Sequence, residues 1–162
     1  MAIERVREYF SKFGMEDRIQ ELEQSSATVE FAAQALGCKP ERIAKTLSFM
    51  VSGKPVLILL AGDAKVSNPK FRETFHEKAR MLTPQQAEEL IGHAVGGVCP
   101  FGINEGVDVY LDESLRRFDT VYPACGSANS AIQMTLDELE KYSGSKSWVD
   151  VGKGWQSEET AA

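Results

Sequence analysis

Apolar residues recur at helical spacing in the first part of the chain. Residues 1–13 have this pattern, and it predicts an amphipathic helix. Ile19 and Leu22 are expected to continue the helical region. Apolar positions within residues 29–36 predict a second short helix, which ends at Gly37 because glycine readily adopts the left-handed conformation of a helix C-terminus.

The middle of the chain has the pattern of a β-hairpin. Residues 43–51 favour a strand, and residues 56–61 form a continuous apolar run of the kind found in central strands. Residues 52–55, Ser-Gly-Lys-Pro, are expected to reverse the chain between them. The two segments therefore predict an antiparallel hairpin.

Helix and hairpin signals alternate irregularly in the second half. Residues 83–86, Thr-Pro-Gln-Gln, have the sequence of a capping box, in which two side chains satisfy backbone N–H groups at a helix start. Residues 107–112 alternate as a strand does, and residues 120–124 and 131–134 predict a second hairpin. Because hairpins indicate antiparallel pairing, we expect an α+β fold rather than a doubly wound parallel sheet.

Length and composition are those of an ordinary folded chain. The 162 residues are 43% apolar and 26% charged, and no apolar run is long enough to span a bilayer. The N-terminus has an amphipathic pattern rather than that of a signal peptide, so a cytoplasmic location is expected. Since no linker or repeat divides the chain, we expect one domain over residues 1–155 and a frayed polar tail over residues 156–162.

The cysteine and histidine content argues against a metal centre. Cys38, Cys99 and Cys125 are widely spaced, and an odd count without paired spacing favours neither a disulfide framework nor a structural zinc site. Only His76 and His93 could add ligands. We therefore expect no metal and no cofactor.

The charge is unevenly distributed along the chain. The net charge of −6 argues against broad non-specific binding to nucleic acid. Residues 39–80 nevertheless carry nine basic and four acidic side chains, whereas the flanking segments are acidic. This basic middle is a candidate site for a phosphate-bearing ligand, and a solvated basic face is the alternative.

A glycine-rich loop between two apolar runs is the main candidate binding element. Because glycine has no Cβ, such a loop can bring backbone N–H groups close to an oxyanion or a terminal adenosine, although a tight structural turn has the same composition. Cys99 is a candidate nucleophile, but no His or Asp stands at a spacing that would activate it, and nothing requires His93 to fold beside it. We therefore expect Cys99 to be part of a pocket wall. The loop comprises Gly96, Gly97, Val98, Cys99, Pro100, Phe101 and Gly102.

Lys45 is the only charged residue in its strand-like run. Its ammonium group has three N–H donors and is a candidate to bind a terminal phosphate or ribose or to orient an aminoacyl group; an exposed lysine on an edge strand is the alternative. Because strand side chains alternate, Lys45 and Thr46 cannot line one pocket without a bulge. A second loop offers residues that are either substrate donors or turn formers, namely Gly126, Ser127, Asn129 and Ser130.

Four motifs in this order resemble the YbaK-type family of aminoacyl-tRNA deacylases, which is related to the editing domain of bacterial prolyl-tRNA synthetases. The resemblance spans roughly residues 20–151. The motifs are residues 43–47 (Ile-Ala-Lys-Thr-Leu), the glycine loop, residues 109–115 (Val-Tyr-Leu-Asp-Glu-Ser-Leu) and residues 126–130 (Gly-Ser-Ala-Asn-Ser).

The resemblance implies a compact α+β fold with a mixed, mostly antiparallel, barrel-like sheet surrounded by helices. It implies hydrolysis of the ester between a wrong amino acid, such as cysteine or alanine, and the 3′ end of a tRNA, typically tRNA(Pro). Lys45 is then the catalytic residue, and Thr46 and the two glycine-containing loops bind the substrate. The implied partners are the mischarged tRNA and prolyl-tRNA synthetase, for a monomer or weak homodimer that binds neither DNA nor membranes.

Within this interpretation the thiol of a cysteinyl substrate attacks its own ester, or a ribose hydroxyl assists the reaction with other substrates, so the protein only positions the groups. Lys45 is expected to face the glycine loop across one pocket. Two other functions fit the same residues. One is a non-catalytic module that holds a nucleotide or tRNA end beside a synthetase. The other is a cysteine hydrolase that acts on small esters or thioesters through Cys99.

Overall fold

The computed structural model describes residues 2–22, 29–94, 97–127 and 129–155. The polar tail expected over residues 156–162 lies outside these ranges. The described strands are β1 (Ile19–Glu21), β2 (Ile43–Val51), β3 (Lys54–Ala61), β4 (Lys65–Val66), β5 (Asp108–Asp112), β6 (Thr120–Pro123), β7 (Ser130–Ile132), β8 (Met134–Thr135), β9 (Ser147–Val149) and β10 (Gly152–Lys153).

Six strands form the central sheet in the order β8-β6-β2-β3-β5-β9. Within it, β2–β3 and β6–β8 are antiparallel, whereas β6–β2, β3–β5 and β5–β9 are parallel. Two further antiparallel pairs, β1–β7 and β4–β10, lie outside the central sheet. The sheet curls into a half-barrel, and antiparallel pairs are the majority among the described strands. The predicted mixed, mostly antiparallel α+β fold is confirmed.

The hairpin of β2 and β3 is the longest uninterrupted element of the sheet. Its strands join through eight consecutive residue pairs, from Ala44–Ala61 to Val51–Lys54. Ser52 and Gly53 turn the chain with positive φ values of 51° and 77°, as a two-residue hairpin turn with the twist of its strands requires. The predicted hairpin is confirmed, but the reversal is two residues long rather than four, since β3 already begins at Lys54.

Both faces of the sheet are buried, so side-chain alternation assigns each hairpin residue to one of two apolar clusters. Leu57 and Leu59 belong to the first core, which also contains Phe10 and Phe101. Ile58 and Leu60 belong to the second core, together with Phe49 and Phe71. The continuous apolar run over residues 56–61 is thus explained by burial on both faces rather than on one.

Short helices cover the two faces. The predicted amphipathic helix is present and buries Val6 and Phe10 in the first core. The capping box at Thr83 and Gln86 is also present, and a π-helical turn over Ala87–Ile91 continues the helix that it opens. No helix among the described residues is long and apolar enough to cross a membrane. The helices are α1 (Ala2–Ser11), α2 (Val29–Leu36), α3 (Asn68–Phe75), α4 (Pro84–Gln86) and α5 (Leu136–Ser143), with 3₁₀ turns at Glu16–Arg18, Pro40–Arg42 and Glu113–Arg117.

The region after α1 differs from its prediction. Ile19 lies in β1 rather than in a continued helix, and it pairs with Ile132 of β7. Three strand residues give too short a pattern to separate strand from helix locally, and a partner more than a hundred residues away decides the outcome. The second predicted hairpin is confirmed, because β6 and β8 pair in antiparallel register.

The ion pair between Arg18 and Glu138 gives a pH-dependent contribution to stability. Arg18 donates to the two carboxylate oxygens of Glu138 at 2.7 and 3.0 Å, and these hydrogen bonds are the main cause that lowers the pKa of Glu138 to about 2. The pKa of a free glutamate is about 4.3. The ionised pair therefore stabilises the fold above that pH, and this stabilisation is lost as the pH falls through about 2.

We predict that Glu138→Gln, which keeps a side chain able to complete the capping box with Thr135, lowers the free energy of unfolding at neutral pH by about 1 kcal/mol or less, since the pair is partly exposed. The difference from wild type should vanish in strong acid. Urea unfolding at a series of pH values measures it. A difference that persists unchanged in strong acid would mean that packing, not charge, is responsible.

Candidate functional site

The outer edge of β2 has an opening at Thr46, the residue after Lys45. The parallel strand β6 pairs with β2 only at residues 43–44. Further along the same edge, the backbone of residues 80–82 bonds to residues 48–50. Between these contacts, the backbone of Thr46 makes no hydrogen bond on that side to the described part of the chain. We call this gap the crevice; diverging parallel strands leave such clefts at their carboxyl ends, where ligands bind in many sheets.

Backbone groups of Thr46 point into the crevice. Backbone N–H and C=O groups alternate sides along a strand, and those of Ser48 and Met50 point to this edge, so those of Thr46 do as well. The Thr46 hydroxyl oxygen is buried and has no hydrogen-bond partner within the described part of the chain. A buried polar group without a partner is costly, so Thr46 offers one more group able to bind a ligand.

Lys45 and Thr46 lie on opposite faces of the sheet. Lys45 pairs with Leu60 of the second core, and Thr46 pairs with Leu59 of the first core. The uninterrupted pairing leaves no room for a bulge, so the sequence argument from strand alternation is confirmed. Lys45 therefore shares no sheet face with the buried side chains of the glycine loop. That its ammonium group meets the loop N–H groups at the crevice stays a prediction.

The glycine loop touches the second loop backbone to backbone. A Cβ at Gly97 would lie 2.5 Å from the backbone nitrogen of Ser127 and 2.6 Å from the carbonyl carbon of Gly126. Real Cβ atoms do not come that close to backbone, so only glycine permits this contact. Gly96, the first residue of the predicted loop, lies outside the described residues.

Side chains of the glycine loop face the core rather than solvent. The Phe101 ring packs 4.7 Å from that of Phe10, and both are fully buried. Gly102 has a positive φ of 60° and lies so close to α1 that a Cβ would be 2.9 Å from the carbonyl oxygen of Arg5. Pro100 is buried and Val98 half-buried. The loop is thus anchored by its side chains, and its backbone is the part best able to meet a ligand.

Cys99 lies beside His93, a contact that nothing in the residue spacing required. The Cys99 sulfur is 3.6 Å from Nε2 of His93, but that nitrogen is also 2.8 Å from the carbonyl oxygen of Phe101, to which it donates if it carries the proton. Burial raises the pKa of the Cys99 thiol to about 12 and lowers the pKa of His93. Both groups are therefore neutral near pH 7, and the pair lacks the charge separation of an activated cysteine.

The second loop is held by its own polar groups. Ser127 Oγ lies 2.9 Å from Asn129 Oδ1 and 2.7 Å from Ser130 Oγ. The Asn129 side chain donates to the carbonyl oxygen of Leu22 at 3.1 Å, and the Leu22 amide donates to the Asn129 carbonyl at 2.6 Å. These bonds fix the loop to the end of β1. They also occupy the side chains that the sequence offered as substrate donors. Two amides at the loop contact are used as well: that of Gly97 donates to the carbonyl oxygen of Ala94 at 3.0 Å, and that of Gly126 donates to the Cys99 sulfur.

The structure thus brings some of the predicted site residues together and separates others. The two loops touch, and the Thr46 side chain lies on the same sheet face as Cys99 and Cys125, whereas the Lys45 side chain lies on the other face. Among the described residues, no three His, Cys, Asp or Glu side chains converge as a metal site requires.

Known proteins share both the sequence and the fold. The chain is 53% identical over 157 residues to the uncharacterized protein YwhH of Bacillus subtilis (strain 168), which covers 96% of this chain and 100% of that protein. It is 29% identical over 101 residues to the proline–tRNA ligase of Geobacillus sp. (strain WCH70), or 62% of this chain and 18% of the ligase.

A solved structure agrees over nearly the whole length. It belongs to a protein described as a candidate trans-editing enzyme for prolyl tRNA synthetase, and it matches with a TM-score of 0.85 at 30% identity, covering 94% of this chain and 98% of that one. The sequence profile of the aminoacyl-tRNA editing domain matches residues 23–142. The predicted resemblance is confirmed: the chain belongs to the family of aminoacyl-tRNA editing domains, which is related to the editing region of prolyl-tRNA ligases.

Proposed function

We propose that this protein is a trans-acting editing hydrolase that cleaves the ester between a tRNA and a wrongly attached amino acid. The observation that carries the proposal is the crevice at Thr46, next to Lys45, which interrupts the sheet of an editing-domain fold beside two touching loops. The proposed substrate is tRNA(Pro) charged with a small amino acid such as cysteine or alanine. Proline–tRNA ligases among the relatives support that choice of tRNA.

The reaction needs little from the protein beyond position and charge. Water adds to the ester carbonyl carbon, the bond to the ribose oxygen breaks, and a proton from the water passes to that oxygen. The carbonyl oxygen is negatively charged in between, so N–H donors fixed in advance lower the barrier. The amide of Thr46 and the loop amides other than those of Gly97 and Gly126 are the donors that we assign to this oxygen.

Lys45 acts on the substrate from the other side of the sheet. A gap between diverging strands opens to both faces, so a ligand in the crevice can meet Lys45 from one face and the loop amides from the other. The lysine ammonium, with its positive charge and three donors, binds the terminal phosphate or ribose and orients the ester. It is the one residue to which we assign a catalytic role.

Cys99 and His93 supply no nucleophile in this mechanism. Both are fully buried and neutral, and rate enhancement then rests on orientation and on stabilisation of the oxyanion. The same features would serve a module that holds a tRNA end without turnover, which is the alternative function. As an editing enzyme the protein works in the cytoplasm, with prolyl-tRNA synthetase supplying the mischarged tRNA.

Incubation with tRNA(Pro) charged with alanine, cysteine, serine or threonine tests the proposal. We expect wild type to hydrolyse at least one of these esters, and Lys45→Ala to lower kcat/KM on that substrate by about a hundredfold or more. The matched control is Lys54→Ala, which removes the same charge at the hairpin turn and should leave the rate unchanged. Binding of tRNA without ester loss by wild type would select the non-catalytic module.

Cys99→Ser separates the two roles available to the cysteine. A buried neutral thiol that serves only as a wall can be replaced by a hydroxyl of similar size, so we expect the variant to retain kcat/KM within about tenfold. Deacylation kinetics measure this, with circular dichroism as a check on folding. A hundredfold loss by a folded variant would assign the nucleophile to Cys99 and favour the cysteine hydrolase.

Gly97→Ala tests whether contact between the loops positions the donors. The added Cβ must push the backbone of Ser127 away, and a displacement of about 1 Å at a site can cost about a hundredfold in rate. We expect a drop of that order in kcat/KM with an unchanged circular dichroism spectrum. Wild-type turnover by a folded Gly97→Ala protein would contradict the assignment of the donors to these loops.

A further inference from the structure

A groove lies on the same side of the sheet as Lys45, at the other end of the contact between β2 and β6. Its volume is about 570 Å³, within the range of sites that hold small molecules. Basic and aromatic residues predominate in its lining, which includes Lys39, Arg42, Arg117, Phe118 and Tyr122 as well as the acidic Asp119. We call it the basic groove.

Strand register places the groove on the Lys45 face. Tyr122 pairs with Ile43, and parallel neighbours in register project to the same face. Lys45 lies two residues beyond Ile43 on β2, so its side chain also projects there, about 7 Å further along the strand. Ile43 packs against Ala32 and Ala33 of α2. This contact between β2 and α2 therefore lies between the groove and Lys45.

Positive charge in the groove comes mainly from Lys39 and Arg42. Lys39 is exposed, and within the described ranges neither residue has a carboxylate at ion-pairing distance. Arg42 uses two of its N–H groups on Thr120, at 3.3 and 3.2 Å, and so keeps donors for a ligand. Arg117, in contrast, is neutralised by a bidentate pair with Asp63 at 2.6 and 3.0 Å.

Aromatic rings give the groove flat surfaces beside the charges. The guanidinium of Arg117 lies 4.8 Å from the centroid of the Phe118 ring, and that of Arg42 lies 5.8 Å from it. Tyr122 and Phe118 are only half-buried. Cationic side chains that follow a phosphate backbone, together with rings and guanidinium planes on which bases stack, are the features that bind single-stranded nucleic acid.

We infer that the basic groove binds the unpaired nucleotides that precede the terminal adenosine of the tRNA. This inference rests on the proposed function, because it places in the groove the RNA nucleotides that precede the 3′ end held in the crevice. Lys39 and Arg42 contact phosphates, and Phe118 and Tyr122 contact bases or riboses. The groove thereby holds the strand while the two loops and Lys45 hold the aminoacyl end.

The test measures binding without turnover. The probe is a 5′-fluorescein-labelled single-stranded RNA with the uncharged 3′ sequence of tRNA(Pro), and fluorescence anisotropy over a salt titration gives its affinity. We expect Lys39→Glu to weaken binding about three- to tenfold and to reduce the slope of log affinity against log salt by about 0.7, the effect of one lost phosphate contact on a single strand. Arg42→Gln should weaken binding in the same direction.

The matched control is Lys54→Glu, which makes the same charge change at the hairpin turn, roughly 30 Å away along β2. Wild-type affinity for Lys39→Glu and Arg42→Gln, or an equal loss for Lys54→Glu, would overturn the inference. If wild type nevertheless deacylates the charged tRNA, the proposed function is kept and only the role of the groove is rejected. RNA binding that depends on Lys39 with no deacylation would retain the groove and reject the hydrolase.

Discussion

The uninterrupted pairing of β2 with β3 is the constraint on which the rest of the structure depends. Eight consecutive pairs fix which side chain lies on which face. A bulge within them would turn the side chains beyond it from one apolar core to the other. Because both faces are buried, that register is strongly specified by apolar contacts. The same pairing fixes the opposite directions of Lys45 and Thr46, and so it decides how a ligand can be held between them.

The candidate site arises where this regular pairing stops on one side. β6 accompanies β2 for only two residue pairs before it leaves to form the second loop, and the backbone of residues 80–82 joins β2 only further along. The open edge between them is flanked by the contact of Gly97 with Gly126 and Ser127. The proposed function depends on the backbone. Buried side chains hold the two loops in place, and backbone amide groups are the proposed donors to the substrate.

Local signals in the sequence predicted the local structure well. The hairpin, the capping box at Thr83 and the helix over residues 2–11 each follow from residues close in the chain. Alternation alone also gave the opposite faces of Lys45 and Thr46. Long-range features were not accessible in this way: the pairing of Ile19 with Ile132, the approach of His93 to Cys99, and the point at which β6 leaves β2 all depend on segments brought together by packing.

The most direct test of the central claim is a crystal structure with a non-hydrolysable ligand, the 3′-terminal cytidylyl-adenosine carrying alanine through an amide in place of the ester. The account predicts that the alanyl carbonyl oxygen lies within hydrogen-bond distance of backbone N–H groups from Thr46 or the two touching loops, with the Lys45 ammonium on the terminal ribose or phosphate. A ligand bound away from the crevice, or one that Lys45 does not contact, would contradict the account.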